Sequence, residues 1–383
     1  MRILFIEHPE PDGGSTQLFM GLCQLLGDEN VVDFPYKYCL HGQVERLQNE
    51  DVKVFMKENP TVFPNGGYSD PYEWLIPSKG REYHYEEIKE MVKNGAFDLV
   101  LMTPRLVSTY YFRRLLQDCM SNIPGVIMCD FEDYHDIRFD ITATFYPVIK
   151  VITKASYLPD NPGVFQQSRK GKERIYPLPL SSPLIDNPAF RFDDNDENKI
   201  IDVHARFGLT RSLRKDVVES LRRLKGFQGG IALPVPSTMR IENGEHICGD
   251  GGRTVISSLD ENVPYMQYLQ EIARSNISVS IGGHGLGRNP ARQWEIPSYN
   301  TLLLCEQQAI FYEHPFEDGK TCVFFNPELK DDVCRKAIYL LDEGNETERK
   351  KIAKAGHEHL KKYHTCKARA KRLIEISKEE DMI

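Results

Sequence analysis

The chain has 383 residues, a length that favours two domains or one large α/β unit over a single small module. Hydrophobic residues make up 40% and charged residues 27%, a balance that buries an ordinary core and excludes disorder, collagen and coiled coil. Lys+Arg 48 against Asp+Glu 56 gives a formal charge of -8, so the protein as a whole does not attract nucleic acid or anionic lipid, although a local basic groove is compatible with it.

No apolar run approaches the roughly 20 residues needed to cross a bilayer, and the N-terminus turns acidic at Glu7, too soon for a signal peptide. A cytoplasmic location is the expectation. The nine cysteines are scattered, with no C-x-x-C pair. That pattern reads as reduced, mostly buried thiols and argues against a disulfide framework or a zinc knuckle.

In chain order, residues 2–6 form a short apolar run. A loop follows (His8-Pro9-Glu10-Pro11-Asp12-Gly13-Gly14), and then a helix that Ser15 can cap, with apolar positions at Leu18, Phe19, Leu22 and Leu25. The unit recurs with a helix from about Tyr85 to Gly95, a buried strand at Asp98–Met102, a helix over Ser108–Cys119 and a strand at Val126–Met128. Short continuous apolar runs alternating with amphipathic helices predict a parallel sheet covered on both faces. Pro-rich and then acid-rich sequence, placed at 186–198, reads as a linker.

Periodicity resumes with a strand from Lys199 to Val203, a helix near Arg211–Leu224 and a strand at Ile231–Leu233. After it come a helix over Val263–Arg274, a strand at Ile277–Ile281, a Gly-rich loop, a short helix near Pro290–Ser298, and strands at Thr301–Leu304 and Thr321–Phe325. Two long helices, about Leu329–Glu343 and Thr347–Tyr363, follow. The segment 236–262 reads as an insertion of unknown role. The predicted architecture is α/β, with two Rossmann-like doubly wound domains, 1–185 and 199–383, whose last helix can pack back on the first. Ligands of open parallel sheets bind beyond the carboxyl ends of strands, so the loops there and the cleft between domains are where a site is expected.

The most informative stretch runs from Ile281 to Glu295 (I-G-G-H-G-L-G-R-N-P-A-R-Q-W-E). Its glycines, with Gly285 and Gly287 central, let the backbone approach a ligand; His284 lies among them. Asn289 and Pro290 suit the start of a helix, and Arg288 and Arg292 add positive charge for a diphosphate. The third glycine of a dinucleotide fingerprint is missing, which disfavours a nicotinamide enzyme. Glu295, one turn beyond Arg292, can accept hydrogen bonds from a ribose diol. Exposed surface arginines and a plain Arg-Glu helical pair are the competing readings.

Here the sequence resembles a known family. Tyr265–Ser280, Gly287–Leu304, Phe316–Gly319, Tyr339–Leu341 and Ala355-Gly356-His357…His364-Thr365…Arg369 are similar, in order and spacing, to the carboxy-terminal domain of GT-B glycosyltransferases, particularly the spore-maturation (CgeB-like) branch. The resemblance implies a GT-B architecture. It also implies a nucleoside diphosphate sugar, UDP- or GDP-linked, as donor, no tightly bound cofactor and no metal, and Arg292 and Glu295 at the donor's phosphates and ribose. Many retaining relatives carry a second glutamate where this chain has Gly287, so retention or inversion stays open.

Further donor-side candidates are Arg206, Arg211 and Arg214, read as lying after the second domain's first strand, and Tyr265 and Tyr268, which could stack on a base or simply be core. Transfer to a hydroxyl needs a proton acceptor. Asp12, Asp130, Asp133 and His135, in loops after strands of the first domain, are the candidates. Capping and strand-ending roles compete for each. The reading is therefore a metal-independent glycosyltransferase acting on a saccharide or other hydroxyl acceptor, with a nucleic-acid acceptor less favoured. The rivals are a nucleotide-sugar 2-epimerase of similar form and a non-catalytic nucleotide-sugar-binding protein.

Overall fold

The chain is seen here as a computed structural model that describes residues 1–8, 13–37, 81–131, 148–158, 174–185, 187, 190–192, 198–232, 240–242, 245–247, 253–255, 263, 265–282, 290–307, 309–329 and 331–383. They divide into two units: Met1–Pro183 with Thr365–Ile383, and Leu184–His364.

In the first unit β1 (Ile3–Ile6) is four buried apolar residues, followed by α1 (Gly13–Leu26) and β2 (Val31–Phe34), which lies parallel to β1. Then come α2 (Tyr85–Lys93), β3 (Leu99–Met102), α3 (Leu106–Cys119), β4 (Gly125–Asp130), β5 (Ile149–Lys154) and β6 (Arg174–Pro177). The sheet order is β2-β1-β3-β4-β5-β6, all parallel.

Because side chains alternate along a strand, one set (Leu4, Ile6, Val100, Met102, Val126, Met128) packs under Tyr85, Ile88, Tyr111 and Phe112 of α2 and α3. The other set (Ile3, Phe5, Leu99, Leu101, Ile127, Cys129) packs under Leu18, Phe19 and Leu22 of α1 and Ala370, Leu373 and Ile374 of the chain's last helix. Both faces are covered by helices, as continuous apolar strands require.

The second unit starts at Leu184, two residues before the segment read as a linker. Of that segment's described residues Phe190 is buried, and the Phe192 ring lies 5.6 Å from that of Tyr299 in the same unit. Its elements are β7 (Ile201–Gly208), α4 (Ser212–Leu221), β8 (Phe227–Ala232), three short strands β9 (Arg240–Glu242), β10 (Glu245–Ile247) and β11 (Arg253–Val255), α5 (Tyr265–Ala273), β12 (Ser275–Ser280), α6 (Arg292–Glu295) with a 3-10 turn to Tyr299, β13 (Leu302–Glu306), β14 (Val323–Phe325), α7 (Asp332–Leu341) and α8 (Glu346–Tyr363). The parallel sheet runs β14-β13-β12-β7-β8, and β9–β11 form a separate antiparallel sheet within the segment read as an insertion.

The chain leaves α8 at His364, and α9 (Cys366–Glu379), capped by Thr365 Oγ1 accepting from Ala368 N–H at 3.1 Å, completes the first unit. Residues 365–383 thus lie outside the domain to which the sequence reading assigned them. The reason is local: α9 buries Ala370, Leu373 and Ile374 on α1.

One face of the second sheet is apolar: Val203, Ala205 and Phe207 of β7, Ile277, Val279 and Ile281 at β12, and Leu302 and Leu304 of β13, packed against α4 and α7. The opposite positions of the two central strands are polar: His204, Arg206, Ser278 and Ser280. In a sheet covered on both faces that is costly unless every group is bonded, and it marks this side of the unit.

Candidate functional site

The second sheet reverses its winding between β7 and β12, the kind of switch point where open α/β sheets bind ligands beyond the strands' carboxyl ends. Arg214, from the first turns of α4, spans that point. Its guanidinium donates to the carbonyls of Gly208 (2.8 Å), Gly282 (3.0 Å) and Ile281 (3.1 Å). Arg214 is buried on carbonyls rather than on a carboxylate, and burial, then the neighbouring Arg292 and Arg211, push its pKa well below the ordinary arginine value.

Arg211, at the N-cap of α4, donates to both oxygens of Glu306 at 2.7 Å, and Glu306 also accepts the Gly282 N–H at 3.0 Å. The Arg292 guanidinium lies 5.0 Å from the centre of the Phe207 ring, and that of Arg214 lies 5.6 Å from the same ring. Three guanidiniums therefore gather at one end of the sheet, an arrangement suited to a multiply charged anion.

Glu295 is buried, and its two carboxylate oxygens accept the hydroxyls of Tyr265 and Tyr268, each at 2.8 Å. The tyrosines stand three residues apart on α5 with their rings stacked at 5.9 Å. Their hydroxyls are engaged on a carboxylate, a role that the alternatives of base stacking and plain core did not include. Burial first, and Glu295 beside it, raise the Tyr268 hydroxyl well above the ordinary value, which keeps it a proton donor.

Arg206 lies within β7 rather than after it. The sequence reading ended that strand at Val203 because polar residues at every second position disguise its continuation to Gly208. Arg206 donates to Glu271 of α5 at 2.5 and 3.0 Å. Glu271 is also met by His204 Nε2 at 3.3 Å, Gln228 at 3.1 Å and Gln267 at 3.2 Å, and His204 Nδ1 is bonded to Ser278 Oγ at 2.9 Å. This network, apart from Arg206, escaped the sequence reading. The signal that could have found it is the alternation Val203-His204-Ala205-Arg206-Phe207 facing Ile277-Ser278-Val279-Ser280.

His284, Gly285, Gly287 and Arg288 lie outside the described residues, as do Asp12, Asp133 and His135. The helix expected to start at Pro290 begins at Arg292 and makes one α-turn before tightening to 3-10 geometry. So short an element aligns few peptide dipoles, and the positive charge here comes from side chains.

In the first unit Asp130, at the end of β4, is fully buried with Lys154 Nζ at 3.0 Å. A second buried pair, Lys37 Nζ with Glu7 Oε2 at 3.0 Å, lies at the end of β1 and adds bonds to Ser15 Oγ (3.2 Å) and Thr16 Oγ1 (3.3 Å). Burial pushes the Glu7 carboxyl above its usual range, with Lys37 pulling the other way. Neither lysine stands out in the sequence, and Glu7 does so only as the acidic residue that ends the first apolar run. Among the described residues no group of three or more His, Cys, Asp or Glu is placed to hold a metal ion, and no helix is long and apolar enough to cross a membrane.

Residues 214–375 match the family model described as glycosyl transferase-like. No curated protein matches the sequence. Among solved structures, a glycosyltransferase from Rickettsia africae aligns over 99% of this chain and 98% of its own, with 13% identity and a TM-score of 0.57. Anabaena HepE in complex with UDP and glucose aligns over 99% of both chains, with 9% identity and a TM-score of 0.55. T4 phage BGT in complex with its UDP-glucose substrate aligns over 100% of both, with 13% identity and a TM-score of 0.53. At such identities the likeness is one of fold. Residues 214–375 are thus similar to a glycosyl transferase-like domain, and the two parallel α/β units have the GT-B fold seen in glycosyltransferases.

Proposed function

We propose that this protein transfers a glycosyl group from a UDP- or GDP-linked sugar to an acceptor hydroxyl, with the donor held by the second unit and the acceptor by the first. The observation that carries the reading is the gathering of Arg211, Arg214 and Arg292 at the carboxyl ends of β7 and β12. A buried guanidinium bonded to carbonyls is costly until an anion approaches, and a diphosphate supplies that anion. The same charges stabilise the diphosphate as it leaves, which lowers the barrier without a metal ion.

Glu295 is proposed to accept the donor ribose diol, and the glycine turn with His284, Gly285, Gly287 and Arg288 to line the phosphates. Arg206, held by Glu271, shapes this side of the unit. The proton acceptor is proposed among Asp12, Asp133 and His135 of the loops after β1 and β4. Asp130, at the end of β4, is already bound to Lys154 and is the least suited of the four candidates. HepE with UDP and glucose and BGT with UDP-glucose make a uridine donor the first choice. The acceptor is proposed to be a saccharide or other small hydroxyl compound, and the spacing of the carboxy-terminal motifs favours the CgeB-like branch.

The test is a thermal-shift panel of UDP, GDP and their sugars. A nucleotide at about 100 times its dissociation constant stabilises its protein by about 2.7 kcal/mol. Arg292→Ala is expected to shrink that response. Glu295→Gln is the right partner substitution, because alanine would strand two tyrosine hydroxyls in a buried place. If no nucleotide or nucleotide sugar shifts the transition, the reading is wrong. Donor turnover without any acceptor would point instead to an epimerase, and binding with no turnover to a non-catalytic nucleotide-sugar-binding protein.

A further inference from the structure

We infer that Tyr265 and Tyr268 are positioning residues that fix the carboxylate of Glu295 as a reader of the ribose hydroxyls of a nucleoside diphosphate. The inference rests on the proposed donor role of the second unit and assigns the tyrosines a task within it.

Glu295 stands on a single helical turn, an element with little rigidity of its own, and a glutamate side chain has three rotatable bonds. Left to itself such a carboxylate samples many orientations, and ordering it on a ligand costs rotamer freedom. Here the orientation is set in advance. Tyr265 holds Oε1 and Tyr268 holds Oε2, both at 2.8 Å, so the carboxylate plane is fixed at two points. Both donors come from α5, on adjacent turns of one face, and their stacked rings leave neither free to swing away.

Tyr268 is buried against His204, ring to ring at 5.7 Å, and so is tied to the Glu271 network beneath. A carboxylate oxygen can accept more than one hydrogen bond, so a tyrosine on each oxygen is compatible with a diol hydroxyl arriving at the same group. The arrangement matches what recognition of a vicinal diol requires: two acceptor oxygens held at fixed spacing by neutral hydroxyl donors.

The test compares the affinities of UDP and 2′,3′-dideoxy-UDP for the full chain, with GDP and 2′,3′-dideoxy-GDP in parallel, in the wild type and in Tyr265→Phe, Tyr268→Phe and Glu295→Gln. Hydrogen bonds to a charged group lead to an expected preference of the wild type for the ribonucleotide of about tenfold or more. Each Tyr→Phe variant is expected to lose at least half of that preference on a logarithmic scale while binding the dideoxy nucleotide as the wild type does. A merely structural role would weaken both nucleotides together.

If the wild type discriminates and the tyrosine variants discriminate equally well, the positioning role is overturned and the donor reading stands. If the wild type binds ribo and dideoxy forms alike, or binds neither nucleotide, the donor role of Glu295 falls and the tyrosine role falls with it. Tyr265 is only half-buried, so Tyr265→Phe decides the matter should Tyr268→Phe fail to fold.

Discussion

At the residue scale Arg214 is held by carbonyls and Glu295 by tyrosine hydroxyls, whereas several other buried charges are paired. Glu271 is the clearest case: burial raises its carboxyl, but the hydrogen bonds from His204 and Arg206 lower it further and prevail, so its folded pKa lies below the ordinary carboxylate value. Such a group stabilises the fold fully above its unfolded pKa, about 4.3, and the gain is lost as pH falls toward the folded value. His204 acts in the same direction, since burial lowers its pKa and protonation below about 6.5 works against the folded state.

Glu271→Gln is therefore expected to cost about 3 kcal/mol near neutral pH, because Arg206 loses its buried partner. The loss should shrink as both proteins are taken from pH 6 to pH 3. Urea unfolding midpoints across that range check it; a loss that stays constant with pH would show that the carboxylate is not the source. Arg206 itself was visible in the sequence as a cation in the right region. Its commitment to Glu271 was not, since the two are 65 positions apart and only the fold brings α5 over β7.

At the scale of elements, what reads clearly from sequence is what is periodic. The strands β1, β3, β12 and β13, and the helices α2, α3, α7 and α8, lie where apolar runs and amphipathic stripes put them. β2 holds an aspartate within four residues, β5 alternates an exposed lysine with apolar residues, and β6 consists of Arg-Ile-Tyr-Pro, so none carries the continuous apolar signature.

α9 is expected from sequence only as a last helix that can pack back on the first domain, without bounds. Its sequence is rich in charge, and its stripe of Ala370, Leu373 and Ile374 makes sense only against α1. Gly21 of α1 records how close the two helices come: a Cβ there would lie 1.9 Å from the carbonyl oxygen of Cys366. Gly21→Ala should gain about 1 kcal/mol of helix propensity and lose more to overpacking against a backbone that cannot yield, for a net cost of about 1–2 kcal/mol. Thermal unfolding of the variant tests this, and an unchanged or raised transition would mean that α9 moves aside freely.

At the scale of the whole molecule, the number of units, their α/β class and their parallel sheets were legible, because alternating apolar runs and amphipathic helices leave few other architectures. Their borders were less so. Proline and acid-rich composition marks 186–198 as a linker, yet among its described residues Phe190 is buried and Phe192 packs beside Tyr299 of the second unit. The return of residues 365–383 to the first unit has no local mark beyond the Thr365 cap.

A chain stopped after His364 is expected to keep residues 184–364 resistant to limited proteolysis, while residues 1–183 lose their resistance because Leu18, Phe19 and Leu22 lose the cover of α9. Equal resistance of both units in the shortened chain would show that α9 is dispensable.

The same connectivity bears on how the protein is made. Synthesis delivers α1 long before α9, so the first unit still lacks α9 when the second holds all its residues, as soon as His364 is clear of the ribosome. Until α9 emerges, the part of α1 that it covers lacks that partner, which makes this stretch of the nascent chain a place for a chaperone's shelter.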